Sequence, residues 1–102
     1  MSNDYHNQAH LSRARRLREL LQELPEICSD YFIAIEQLTS PLTRLSYAYD
    51  LKLFFQYLSD ELPKFSGKPV IQFTVEDIRL VTKQDLERYA RYLSLYVKPI
   101  HL

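Results

Sequence analysis

Apolar positions recur at intervals of three and four from Leu11 to Leu24. Leu11, Ala14, Leu17, Leu20, Leu21 and Leu24 share one side of a predicted helix whose other side carries Arg and Glu. Pro25 closes that helix, because a proline ring clashes with the preceding turn, and it suits the first turn of the next one. In the second helix Ile27, Tyr31, Ala34, Ile35 and Leu38 line one face, widened by Cys28 and Phe32. Thr39-Ser40-Pro41 then breaks the pattern. A Thr or Ser hydroxyl can satisfy the orphan N–H groups of a helix start, and Pro41 fits a first helical position. A long helix follows from about Leu42 to Leu62. Its stripe is Leu51, Phe54, Phe55 and Leu58, extended by Tyr47 and Leu62, and Pro63 terminates it. Tyr49 projects away from this stripe, toward solvent.

Residues 63–74 hold two of the prolines and the single glycine. They predict a loop of about a dozen residues, long enough to be functional or mobile, with a short extended stretch from Val70 to Phe73. Thr74 opens one helical turn, Val75 to Ile78. Thr82-Lys83-Gln84-Asp85 reads as a capping box with Asp in place of Glu. The helix it starts turns Leu86, Tyr89, Ala90, Leu93 and Tyr96 inward and ends before Pro99. The expected fold is all-α: a small bundle of about four helices, without internal repeats.

The chain has 102 residues, enough for one domain with one modest core. Apolar residues make up 46% and charged residues 25%, a globular composition. One Gly excludes a Walker A loop, a GxGxxG turn and the many tight turns of an all-β sandwich. No apolar run approaches the ~20 residues of a membrane span, and the polar start from Met1 to His10 is not a secretory signal. One cysteine, Cys28, excludes an internal disulfide and a multi-cysteine zinc site, which fits a reducing cytoplasm.

Formal net charge is zero, which argues against a strongly basic nucleic-acid binder. The charge is nevertheless locally polarised. Arg13, Arg15, Arg16 and Arg18 cluster. Glu19, Glu23, Glu26, Asp30 and Glu36 follow with no Lys or Arg among them. From Arg79 to Lys98, basic residues outnumber acidic ones.

Catalytic chemistry is scarce. His6 and His10 have the i, i+4 spacing of a metal pair, but no third ligand accompanies them; His101 stands near the other terminus, and all three read as solvated. Cys28 sits between Glu26 and Asp30, which disfavour a thiolate, and reads as a buried structural thiol. Asp60 and Glu61 are adjacent and point in different directions, so they make no acid–base pair. Binding chemistry is better represented. Thr39-Ser40-Pro41-Leu42-Thr43-Arg44 places hydroxyls and a cation at a helix start, either an anion-binding end or an ordinary N-cap with an exposed Arg. Lys83, Arg88 and Arg91 form a basic face on the last helix.

The stretch from Ser40 to Leu58 resembles the core-binding domain of the tyrosine recombinase (phage integrase) family. The resemblance lies in the order and spacing of Thr43, Tyr47, Asp50-Leu51, Phe54 and Tyr57-Leu58. Asp77-Ile78 followed by Val81 to Leu86 is similar to a later segment of the same domain, so the likeness covers about residues 26–96. It implies a SAM-like helical domain that lies on one face of duplex DNA. A separate domain carries the nucleophilic tyrosine, so no Tyr of this chain is catalytic and no cofactor is needed. Double-stranded DNA and other recombinase protomers are the implied partners, with no membrane and no small-molecule substrate, in the cytoplasm.

The polar residues 1–10 read as a disordered N-terminus; under the resemblance 11–24 is an extension helix and 25–102 the core-binding domain. The implied DNA contacts are Thr43 and Arg44, then Tyr47 and Lys52, with Lys83, Arg88 and Arg91 adding positive potential. The family pattern continues with a further basic helix after the one at 83–96. Leu102 precedes it, which implies a truncated domain with an apolar groove that the N-terminal helix partly covers and that invites dimerisation. The alternative, favoured by zero net charge and the acidic run, is a protein–protein module that takes a partner helix in an apolar groove.

Overall fold

A computed structural model describes residues 2–97, with side chains from Asn7 onward. The fold is all-α, with no strand among the described residues. Among the described residues five α-helices follow one another: α1 (Ser2–Leu21), α2 (Glu26–Ile35), α3 (Pro41–Glu61), α4 (Val75–Arg79) and α5 (Lys83–Tyr96). Two 3-10 turns, Pro63–Phe65 and Val70–Gln72, lie between α3 and α4.

The central element is α3. Ser40 is its N-cap, its hydroxyl accepting the Thr43 N–H at 3.1 Å, and Pro41 occupies the first turn. Ala48, Phe55 and Leu58 of α3 are buried together with Leu20 and Leu24 and with Cys28 and Phe32 of α2. α1 packs along α3, where Arg16 Nε donates to the Tyr49 hydroxyl at 2.9 Å, and just past α1 Glu23 Oε2 accepts from Lys52 Nζ at 3.1 Å. Leu20 is wholly buried, so α1 is part of the core and not an appendage. α5 closes the other flank through aromatic rings. Phe54 meets Tyr89 edge-on at 5.0 Å, and Tyr57 packs on Tyr89 and Tyr92 at 5.0 and 4.8 Å.

Several expectations are corrected. Residues 2–10 belong to α1 and are helical. Once the Leu17–Leu21 turn is anchored, extending a helix toward the N-terminus costs little, and no Gly or Pro interrupts it. α2 is rotated from the expected orientation. Cys28 and Phe32 face the core, whereas Tyr31 is 45% and Leu38 82% exposed. Leu11, Leu86, Ala90 and Tyr96 are exposed as well.

The long loop is neither open nor extended at Val70. Phe65 and Phe73 pack on one another at 5.2 Å, and Phe73 packs on Phe55 at 5.5 Å. Ser59 Oγ donates to the Lys68 carbonyl at 2.7 Å. Lys64 and Lys68 then reach the carboxylates of Asp85 and Asp77. Both carboxylates also complete capping boxes, with Thr82 at α5 and Thr74 at α4.

Candidate nucleic-acid interface

The residues expected to bind DNA do not form one surface. Arg44 turns back on its own connection. Its Nη1 donates to the carbonyls of Glu36 and Thr39 and to Thr39 Oγ1, and so caps the C-terminal end of α2. Thr39 Oγ1 in turn donates to the Ile35 carbonyl at 2.8 Å. All three Arg44 bonds come from one terminal nitrogen, which leaves Nη2 and Nε for an external acceptor. Thr43 lies beside it, with its hydroxyl 3.0 Å from that of Ser40.

Arg44 shares a cleft of about 370 Å³ with Arg18 of α1, walled by Leu17, Phe32, Ile33 and Glu36. α1 and α3 thus bring two guanidinium-bearing residues together at the N-terminal end of α3, where the helix dipole is positive. Arg18 lies outside the residues that the resemblance implies. Its signal is helical spacing: it lies four residues after Ala14 and three before Leu21, and all three line this cleft.

Lys52 is held by Glu23 on the α1 flank of α3. Lys83, Arg88 and Arg91 lie on α5, which packs against the Phe54–Tyr57 flank. Lys52 is two residues before Phe54 and five before Tyr57, or about 160° and about 140° away around a helix, so the two basic groups face different sides. Lys83 is 3.9 Å from Glu87, a weak exposed pair. Arg88 and Arg91 are exposed and in no ion pair among the described residues.

Tyr47 is not an extension of the buried stripe. It stands, 39% exposed, on the rim of a second cleft, on the opposite side of α2 from the first. α2 divides the two clefts, presenting Ile33 and Glu36 to one and Ile27 and Tyr31 to the other. Among the described residues none of α1 lines the second cleft.

Burial pushes the Cys28 thiol up to about 11, as expected of a structural cysteine. Burial likewise raises the phenols of Tyr57 and Tyr89, with Glu61 and Asp50 adding to the effect. His10 is exposed, while His101 and the side chain of His6 lie outside the described residues. No group of His, Cys, Asp and Glu able to hold a metal occurs among the described residues, and no helix there is long and apolar enough to cross a membrane. No family model, curated protein or solved structure matches this chain.

Proposed function

We propose that this chain is a DNA-binding domain that lies against one face of a duplex. In this reading it is the non-catalytic half of a clamp in a site-specific tyrosine recombinase or integrase. The reading rests on the resemblance of Ser40–Leu58 to the core-binding domain. The observation that carries it further is that Arg18 and Arg44 line one cleft with Pro41, the first residue of α3. A phosphate in that cleft would meet two permanent cations near the positive end of a helix 21 residues long, with Glu36 as an opposing charge.

These contacts recognise backbone and not bases, so they position the domain and leave sequence choice to other groups. Arg88 and Arg91 offer a second, more peripheral contact. Lys52 and Tyr47 are less favoured than their place in the sequence suggested, one held by Glu23 and the other on the far side of α2. DNA cleavage and rejoining are assigned to a separate domain of a longer recombinase.

Fluorescence anisotropy with a labelled duplex of about 20–25 base pairs tests the proposal. Each phosphate contact contributes about −0.9 to the slope of log affinity against log salt, so Arg18→Ala flattens that slope by about one unit. An unchanged slope and affinity for Arg18→Ala removes this cleft from the interface.

A further inference from the structure

The second cleft has a different chemistry. It lies among α2, α3 and α4, has a volume of about 370 Å³, and is lined mainly by Ile27, Tyr31, Tyr47, Leu51 and Ile78. Among the described residues no Lys or Arg lines it, and Asp50 is the one charged residue that does. The apolar surface continues past the cleft. Ile27, Tyr31 and Ala34 follow one another at i, i+4 and i+7 on α2, about 10 Å of helix, and Tyr31 and Ala34 are exposed. Ile27 is partly buried against the core, while Tyr31 and Ala34 carry the stripe outward beside the buried Cys28–Phe32 face.

The charges on its α2 side are one-sided, while α4 carries both Glu76 and Arg79. Between Arg18 and Arg44 there is no Lys or Arg. Glu19 and Glu23 are tied up by Arg16 and Lys52, but Glu26, Asp30 and Asp50 are in no ion pair among the described residues. Glu26 and Asp30 are four apart, on the solvent flank of the Ile27–Ala34 stripe, and Asp50 stands on the α3 side. The apolar floor therefore lies between acidic groups on two helices.

We propose that this groove takes one amphipathic α-helix of another protein. Its aliphatic side chains at i, i+3 or i+4, and i+7 enter the cleft, and Lys or Arg residues beside them face Asp50 on one rim and Glu26 and Asp30 on the other. A helix suits the surface better than a compact ligand, because the stripe runs beyond the cleft along α2. Charge complementarity selects a basic helix over an acidic one. The site is separated by α2 from the Arg18–Arg44 cleft, so it does not depend on DNA binding there.

The test uses the full chain, isotopically labelled, and two synthetic helical peptides of about 15 residues. Both carry the same leucine stripe; one is flanked by Lys and the other by Glu. The Lys-flanked peptide should give saturable shifts at Tyr31, Tyr47, Leu51 and Ile78 and bind about tenfold or more tighter than the Glu-flanked one. Asp50→Lys, a change at an exposed position that leaves the core intact, should remove most of that preference. Binding of neither peptide, equal binding of both, or shifts centred elsewhere overturns the proposal. So does sedimentation showing that the chain alone dimerises through Tyr31 and Tyr47, because the occupant is then a second copy.

Discussion

Lys64 Nζ lies 2.7 Å from Asp85 Oδ2, across 21 residues of sequence, and that same oxygen accepts the Thr82 backbone N–H at 2.9 Å. One carboxylate thus caps α5 and pins the loop that follows α3. Lys68, Asp77 and Thr74 repeat the arrangement at α4. The chain between α3 and α5 is held by two such staples and by the Phe65–Phe73–Phe55 stack.

Acid should loosen this region first. The hydrogen bond from Lys64, then that from the Thr82 N–H, holds the Asp85 carboxyl below its usual range, and Lys68 and Thr74 do the same for Asp77. A carboxyl whose folded pKa is lowered contributes stability that is complete above its unfolded pKa and is lost as pH falls through the folded value. Thermal melts should therefore show Tm falling as pH drops below about 4. Asp85→Asn should lower Tm at neutral pH and flatten the acid limb, and an acid limb as steep as wild type would contradict the staple. Thr82→Ala, which removes the N-cap hydroxyl, should cost about 1 kcal/mol in urea unfolding.

Cys28 should behave as a core atom. It is buried, and its thiol is pushed up to about 11, so a neutral thiol reagent at pH 8 should label it only as fast as the chain opens. Because the folded pKa is raised, the unfolded thiol ionises first, and stability should decline as pH rises from the unfolded value toward about 11. Labelling in native buffer at the rate of a free thiol would contradict this placement.

Leu20→Ala should destabilise the whole bundle by about 2–5 kcal/mol, because Leu20 is fully buried with Ala48 and Leu58. The urea transition should stay single and shift as a unit. A variant with wild-type stability would mean that α1 is a dispensable extension.

Arg44→Ala should affect the α2–α3 connection as well as any ligand. Losing its bonds to the Glu36 and Thr39 carbonyls should cost roughly 1–2 kcal/mol, and amide exchange should rise at residues 36–40. Arg18 is the better probe of ligand binding, since it makes no such bond among the described residues. Unchanged exchange at 36–40 in Arg44→Ala would contradict the capping role.

How much of this could be read in the sequence depends on how local its cause is. The starts of α3, α4 and α5 were legible because Ser40, Thr74 and Thr82 act within three residues of themselves. The buried face of α2 was not. Ile27-Tyr31-Ala34 and Cys28-Phe32-Ile35 are both apolar at helical spacing, and only the position of α3 decides between them. The order of the loop is not legible locally, because it comes from partners nine and 21 residues away and from isolated phenylalanines without a period. In the candidate site Thr43 and Arg44 were found from the helix start. Arg18 needed the packing of α1 on α3, and the pairing of Lys52 with Glu23 spans 29 residues.

The most direct test of the central claim is a nuclear magnetic resonance titration of the labelled chain with a duplex of about 20–25 base pairs, at low and then moderate salt. DNA binding through the α1–α3 cleft predicts shifts at Arg18, Thr43 and Arg44, with weaker ones at Arg88 and Arg91, all fading as salt rises. No shift at low salt, or salt-insensitive shifts confined to Tyr31, Tyr47 and Ile78, would contradict it.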